Sequence, residues 1–485
     1  VSRLIVGPFN RVEGDLEVEL TLRDGFVSSA RVTAPMYRGF EQILQGKLPG
    51  DALVYVPRIC GICSVSQSVA ASRALAQLAG VEPAVNGLIA TNLILAVENL
   101  ADHLSHFYLF FMPDFCREIY SDRDWHAQAR ERFLPDSGES VRLALQARQR
   151  WMTMLGILAG KWPHTQTVDP GGSTRALDAS ERMKLQTRLR EFRMFLETRF
   201  FAAPLEEVSA LSTQKALLAR WSEPEGTGDF GLFLHIARDL DLQQLGRGPG
   251  RYLSYGAYPL ADGGLLMPSG VWREDGWRLD PLDCQSITED ATHAWLHQNG
   301  GALHPFTGLT LPDAEKADAY TWNKAPRLAG EVVETGALAR QLAAGQPLLR
   351  AAVASGGGTV YTRVLARMME LATVVPAMET WLEQLEPEAP YCRPFSLPHS
   401  GQAVGLNEAA RGSLGHWLRV EGGRIVNYQI IAPTSWNFSP RDAAGQPGAL
   451  EQALAGAPMR QGETTPVAVQ HIVRSFDPCM VCTVH

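Results

Sequence analysis

What this sequence has little of already narrows its function. Only seven of its 485 residues are cysteine, at positions 60, 63, 116, 284, 392, 479 and 482. An odd number, four of them in two C-x-x-C pairs, makes a poor disulfide framework for so long a chain. The cysteines read instead as metal ligands, or as thiols of a reducing compartment. Positive charge is in the minority, with 44 Lys and Arg against 52 Asp and Glu. The densest basic stretch, residues 181–199 (ERMKLQTRLREFRMFLETR), mixes its cations with Glu and Leu. It reads as the solvated face of an amphipathic helix. Binding a phosphate backbone needs clustered positive charge, so nucleic acid is not expected as a partner. Long uncharged apolar runs are missing too. The most apolar stretch, residues 85–112, carries Glu98, Asp102, His103 and His106, so no direct membrane span is expected. The opening VSRLIVGPFNRVEG lacks the cationic head, apolar core and cleavage site of a secretory leader.

What is present is the composition of an ordinary globular protein, 45% hydrophobic and 20% charged. A folded chain of this size buries roughly three quarters of its unfolded surface, so it needs no metal merely to fold. Length alone points to about three domains, yet no composition break marks a boundary. Alternation over residues 16–32, around Arg23-Asp24-Gly25, predicts a β-hairpin. Residues 64–80 read as a helix ending on Gly80, and residues 85–113 as a buried central helix. Further helical periodicity lies at 180–202, 329–344 and 362–385. Strands are expected between 246 and 279, and a second hairpin at 418–431 turning at Gly422-Gly423. The fold class is α+β, mainly helical, with a long central helical bundle and peripheral β-hairpins at the two ends.

The chemistry gathers at the cysteine pairs. Arg58-Ile59-Cys60-Gly61-Ile62-Cys63 lies near the start, and Asp477-Pro478-Cys479-Met480-Val481-Cys482 stops just short of His485. Cysteines two residues apart can turn both sulfurs toward one metal, and four thiolates suit zinc, iron–sulfur or nickel. One such pair is weak evidence. A zinc ribbon would hold its pairs on a short local loop, whereas more than four hundred residues intervene here. A redox pair would want a βαβ context, which neither has. A structural zinc site, a redox or catalytic metal and thiol chemistry all stay open on spacing alone.

The motifs together resemble those of nickel–iron hydrogenase large subunits. R-I-C-G-I-C and D-P-C-M-V-C-T-V-H are the family's two signatures. R-V-E-G (Arg11–Gly14), R-G-F-E (Arg38–Glu41), D-H-L-S-H-F-Y (Asp102–Tyr108), E-A-A-R-G (Glu408–Gly412) and A-P-T-S-W-N (Ala432–Asn437) follow in family order. The resemblance implies that residues 1–485 form one large-subunit domain whose two C-x-x-C segments converge on one metal site.

It also implies roles, residue by residue. Cys60 and Cys479 would be terminal ligands of a nickel ion. Cys63 and Cys482 would bridge it to an iron carrying one carbonyl and two cyanide ligands. Soft sulfur suits several nickel oxidation states, and a terminal thiolate can accept the proton released when dihydrogen is split. Glu13 would pass that proton onward, which needs a reach of about 3 Å, direct or through one water. Arg411 would overhang the metals as a fixed cationic fork, held by Asp102 and Asp477. Pro433 and Thr434 would surround the cyanides. Glu41, His485 and a backbone carbonyl near Ile430 would bind a second metal, Mg2+ in most members, which takes few protein ligands. Members are commonly made with a tail beyond the final histidine, cut off after nickel insertion, so maturation proteins are implied.

Departures from the family pattern point to a branch. Gln67 stands where His is usual, and Ala410 where Pro precedes the arginine. Ile62 and Phe110 replace the smaller Val and Leu at the narrow end of an apolar gas channel. This set resembles the hydrogen-sensing, regulatory hydrogenases. Cys116, Cys284 and Cys392 have no cluster spacing, so electrons must leave through a small subunit carrying iron–sulfur clusters, in an obligate heterodimer. The leading expectation is a low-turnover hydrogen sensor in the cytoplasm, with dimers of heterodimers and a sensor histidine kinase as further partners. The alternatives are an energy-conserving uptake hydrogenase and, more remotely, a structural zinc protein. An exported heterodimer fits too, since the small subunit can carry the signal.

Overall fold

The computed structural model describes residues 2–221, 226–298, 300–460 and 462–485. Strands β1 (Ser2–Val6), β2 (Glu17–Arg23) and β3 (Phe26–Thr33) form an antiparallel sheet in that order, with Val18 opposite both Val6 and Val32. The expected hairpin is β2–β3. It turns at Asp24-Gly25, both with left-handed φ, and β1 is a further strand on its edge. Leu16, Val18, Leu20, Val27, Ala30 and Val32 bury one face.

Helix α1 (Ser64–Ala79) ends where expected, on Gly80 at φ 63°, whose N–H reaches back to the carbonyls of Ala76 and Gln77. Helix α2 (Val85–Ser105) is buried almost all round. The continuous helix expected over 85–113 stops early. A π-helical turn, His106–Phe111, and a 3-10 turn, Met112–Cys116, replace its last part. Pro113 has no N–H to continue the ladder. Helices α3 (Glu139–Ala159) and α4 (Ala179–Phe195) follow. The basic stretch lies on α4, which buries Leu185, Leu189 and Phe192 along one stripe and leaves most of its cations toward solvent.

The middle of the chain holds a sheet that the reading of β at the two ends underplayed. Strands β4 (Arg251–Pro259), β5 (Leu265–Arg273) and β6 (Arg278–Asp280) pair antiparallel, and β7 (Glu334–Thr335) joins β4 in parallel. The helix expected over 329–344 is confined to α5 (Ala337–Ala343). Gly330 and Gly336, at φ 77° and 134°, break a helical path on either side of β7. Helix α6 (Val360–Gln384) starts on a Thr359 capping box. Strands β8 (Gly401–Ala409), β9 (Gly412–Glu421) and β10 (Arg424–Ile431) form an antiparallel meander, and the β9–β10 turn is the expected Gly422-Gly423, both residues at positive φ. Helix α7 (Val467–Ser475) leads to the last cysteine pair.

Helix α2 packs against α1, α3 and α6, and strand β8 lies on α1. That last contact depends on one missing side chain. A Cβ on Gly405 would stand 1.8 Å from the Ala70 carbonyl oxygen and 2.5 Å from the Ala74 nitrogen, both backbone atoms of α1. The sheet therefore sits directly on the helix that begins beside Cys63. Gly405→Ala should lower the unfolding free energy by about 1–3 kcal/mol, as overpacking does. Gly50→Ala, where a Cβ meets nothing within 4 Å, should stay within about 0.5 kcal/mol. Urea unfolding of both variants checks this, and equal costs would show that the close approach is unimportant.

Candidate metal centre

Four free thiols from opposite ends of the chain meet in the interior. The sulfurs of Cys60, Cys63, Cys479 and Cys482 all lie within 4.8 Å of one another, and all four residues are buried. Cys60 Sγ is 3.4 Å from Cys479 Sγ, Cys63 Sγ is 2.9 Å from Cys482 Sγ, and the Cys479 and Cys482 sulfurs are 3.1 Å apart. Hydrogen bonds from the other three thiols, Cys479 first, hold Cys60 well below the ordinary thiol range. The neighbouring sulfurs hold Cys63 well above it, and burial does the same for Cys482. Protons are crowded at a soft four-sulfur site, and a soft cation would displace them.

Several devices set this geometry. The Arg38 guanidinium donates to the Ile59 carbonyl at 2.5 Å and also to the Val481 carbonyl, clipping the two C-x-x-C segments together. The Glu13 backbone does the same from the first loop. Its carbonyl accepts from Met480 N–H at 2.7 Å, its N–H reaches the Pro478 carbonyl at 3.4 Å, and it bridges Cys479 as a parallel strand would. The Glu13 side chain is half-buried. Burial and then the Cys60 charge raise its pKa, while Arg411 and Arg38 oppose the rise. Sequence reading placed Arg38 in a motif without a role. Its position three residues before Glu41 was the only signal.

Glu98 was passed over as well. Cys63 opens α1 without a side-chain cap, and Glu98, from α2, caps that helix end instead. Its carboxylate accepts from the Val65 and Ser66 amides at 2.8 and 2.9 Å, from Ser66 Oγ at 3.0 Å and from Trp162 Nε1 at 2.9 Å. Burial pushes its pKa up to about 7 against those donors. A buried carboxylate in the middle of an apolar helix was the available signal.

Arg411 sits between two buried acids. Its Nη1 is 2.7 Å from Asp102 Oδ2, its Nη2 donates to Asp477 Oδ1 at 3.1 Å, and its Nε donates to the Asp477 carbonyl at 2.9 Å. Burial pushes Asp102 up to about 7. Burial opposes ionisation of Asp477 too, but Arg411 and His106 keep its pKa below the usual range. Pro433 opens a short helix whose Thr434 hydroxyl accepts from the Cys479 amide at 3.1 Å.

A second polar cluster lies alongside. Glu41 Oε1 accepts from the Ile430 amide at 2.7 Å and faces His485 Nε2 at 3.1 Å, while Thr310 donates to Oε2. It is the Ile430 N–H, not its carbonyl, that meets Glu41. His485 Nδ1 is 2.8 Å from the Cys482 carbonyl. Burial works against the Glu41 charge, yet Lys324 and His485 hold its pKa at about 2. A cavity of about 20 Å³ is lined by Glu41, Thr310, Lys324, Ile430 and His485, which is room for a single water or ion.

The remaining predicted positions are less concentrated. Ile62 is half-buried and packs on the apolar cluster around the four cysteines. Phe110 is half-buried on the π turn, and its carbonyl accepts from Arg11 at 3.0 Å. Gln67 Oε1 faces His416 Nε2 at 2.8 Å, leaving its buried Nε2 without a partner.

Comparisons with known proteins agree with the geometry. The family described as nickel-dependent hydrogenase matches residues 38–129 and 232–485. The periplasmic [NiFeSe] hydrogenase large subunit of Desulfomicrobium baculatum is 29% identical over all of this chain and 95% of its own length. The quinone-reactive Ni/Fe-hydrogenase large chain of Wolinella succinogenes is 26% identical over 100% and 96%. The reduced Ni-Fe-Se hydrogenase of D. vulgaris Hildenborough superposes with a TM-score of 0.85 at 30% identity, covering 100% of both chains. Glu13 lies before the first residue matched by the family.

Removing the cap tests how far the cysteine geometry depends on it. Glu98→Ala strands two helix amides and an indole N–H, and should cost roughly 2–4 kcal/mol, whereas Trp162→Phe should cost about 1 kcal/mol. Thermal unfolding with nickel analysis of the surviving folded protein checks this. Full nickel occupancy and unchanged stability in Glu98→Ala would show that α1 needs no cap.

Proposed function

We propose, for a chain that belongs to the nickel-dependent hydrogenase family, that it oxidises dihydrogen at a nickel–iron centre and passes the electrons to an iron–sulfur small subunit. The observation that carries this reading is the convergence of four free, buried sulfurs from the two ends of the chain. The donor set fits the group: four buried sulfurs crowded together, of which Cys60 is held well below the ordinary thiol range, and a cationic fork at Arg411 that interacts with the Cys479 and Cys63 sulfurs. Cys60 and Cys479 would be terminal ligands, and Cys63 and Cys482 bridging ones. When bound, the centre with its carbonyl and cyanide ligands supplies the heterolytic cleavage of dihydrogen.

The chain's own part is to hold, orient and move protons. A terminal thiolate, Cys60 or Cys479, would take the proton, and Glu13, bridged to Cys479 through its backbone and sensing the Cys60 charge at its carboxyl, would pass it on. Arg411 would present fixed positive charge, with Asp102 and Asp477 setting its direction. Thr434 and Pro433 would shape the wall facing the iron's ligands. Glu41, His485 and the backbone at Ile430 would hold Mg2+ in the small cavity, where oxygen donors suit a hard ion. The whole chain would act as one large-subunit domain.

Two biological roles share this site. Uptake is supported by the names of the relatives, one periplasmic and one quinone-reactive. Hydrogen sensing, with cytoplasmic placement and a kinase partner, is supported by Ile62, Phe110 and Gln67 at the positions where the family carries other residues.

Infrared spectra of the purified protein should contain carbonyl and cyanide stretches, and their absence from nickel-loaded protein would remove the assignment. Glu13→Gln should retain that spectrum while isotope exchange between hydrogen and solvent falls about 10²–10⁴-fold, the usual worth of an acid–base group. Unchanged exchange would mean that the proton leaves by another route. For the role, Ile62→Val with Phe110→Leu removes wall volume at roughly 1–4 kcal/mol. The double variant should lose activity in air faster than the parent, with metal content matched. Equal inactivation rates would leave the uptake reading with no rival based on these two side chains.

A further inference from the structure

Arg411 is carried on a turn that is poorly suited to hold itself. Ala409 pairs with Gly412 across β8 and β9, so Ala410 and Arg411 form a two-residue hairpin loop. Such loops favour turns with positive φ at one or both central residues, because those match the twist of the strands. Neither Ala410 nor Arg411 has positive φ. Proline at the first central position would pre-set φ and stiffen an unprimed turn, but that residue is alanine. The residue that must aim a guanidinium therefore sits on a loop whose local sequence does little to restrain it.

The restraint comes from elsewhere. Arg340, on α5 and 1% exposed, donates from Nη1 to the Ala409 carbonyl at 2.8 Å and from Nη2 to the Ala410 carbonyl at 3.1 Å. Its Nη1 also reaches Glu408 Oε2 at 2.8 Å, and its Nε and Nη2 bind Glu370 Oε1 and Oε2 at 2.7 and 2.9 Å. All five N–H donors of the guanidinium are thus used. Glu408 is fixed in turn by the Tyr255 amide at 2.7 Å and Ser413 Oγ at 2.6 Å. Glu370 Oε2 is 2.7 Å from His103 Nε2, and His103 directly follows Asp102, the acid that pairs with Arg411. The same guanidinium is therefore tied to the backbone before Arg411 and, through Glu370 and His103, to the helix that carries its counter-ion.

We infer that Arg340 is a positioning residue of the centre: it clamps the Ala409–Gly412 turn and so aims the Arg411 guanidinium, supplying the stiffness that a proline at 410 would give. This rests on reading Arg411 as the cation of the metal centre. Lysine cannot reproduce a planar fork that spans two carbonyls and two carboxylates.

The test is amide hydrogen exchange of residues 407–414, measured by mass spectrometry on the full, metal-loaded chain together with hydrogen turnover. Arg340→Lys should speed exchange of the turn at least about tenfold, as local opening becomes easier. Turnover should drop about 100-fold, the scale of a small misplacement. Adding Ala410→Pro should restore slow exchange and most of the turnover. Unchanged exchange in Arg340→Lys, or no rescue by proline, overturns the inference. If Arg340→Lys does not fold, Ala410→Gly in the otherwise intact chain decides: with the clamp in place, exchange should rise less than about threefold, and a larger rise shows that residue 410 itself holds the turn. Arg411→Lys separates the two readings. Normal turnover in that variant would refute Arg411 as the cation of the centre, while the exchange results would still judge the clamp.

Discussion

Everything at this centre depends on closing a loop between cysteines 419 residues apart. The entropy of such a closure grows only as the logarithm of length, about 5 kcal/mol beyond a constant, but the two segments must also meet in register. The structure spreads that work over many contacts before the sulfurs are reached. Strand β3 and the turn before it exchange backbone hydrogen bonds with residues 456–459. Glu451 accepts from the Val32 amide at 3.0 Å. Arg474 donates to Asn10 at its carbonyl and side-chain oxygen, at 3.0 and 2.7 Å, and to the buried Asp114 at 2.8 Å. Arg38 and the Glu13 backbone complete the seam at the cysteines themselves. The sheet at the N-terminus is thus more than peripheral, since it seats the last thirty residues.

The second constraint is charge in a dry interior. Ionised sulfurs and carboxylates cost several kcal/mol each to bury unless they are compensated. Much of that compensation comes from arginine: Arg327, Arg340, Arg363, Arg411 and Arg474 are each almost fully buried against a carboxylate. A guanidinium can satisfy two carboxylates or carbonyls at once without losing its proton. Glu98 is held by amides and an indole instead, and Lys324 is buried against Glu289 at 2.8 Å beside Glu41. There the polar groups surround a small cavity rather than a packed wall, and a compact ammonium leaves room for an ion.

Short-range elements were legible in the sequence because their signals are local. The β2–β3 and β9–β10 hairpins show alternation around glycine turns, and α1 shows a glycine stop. The four cysteines, Glu13, Glu41, Arg411 and His485 stood out through motifs, and the fold brings their side chains or backbones to one region. What the sequence hid is tertiary. The end of α2 is a π turn although its apolar pattern continues. The helix read over 329–344 is halved by β7, whose two residues form a strand only because β4 lies beside them. Arg38, Glu98 and Arg340 carry no periodicity, and their partners lie 21 to 443 residues away.

The departures from the family pattern show why such partners matter. Gln67 stands where the motif resemblance implies a histidine, and an imidazole, His416, contacts its side chain. His416 is buried, which pushes its pKa down to about 3, so the ring is neutral and has a single N–H. Gln67 Oε1 can only accept, so His416 donates from Nε2, and its Nδ1 accepts from the Tyr428 hydroxyl at 2.8 Å. This tautomer, assigned from the hydrogen-bond pattern, goes with a Gln67 amide whose oxygen faces the ring. Its Nε2–H is turned away from His416 and left without a protein partner. Ala410 is treated similarly, with its carbonyl held by an arginine 70 residues away. At both positions a local change in the chain is met by a buried side chain from another element, so the effect of either substitution depends on its tertiary partner as much as on the residue itself.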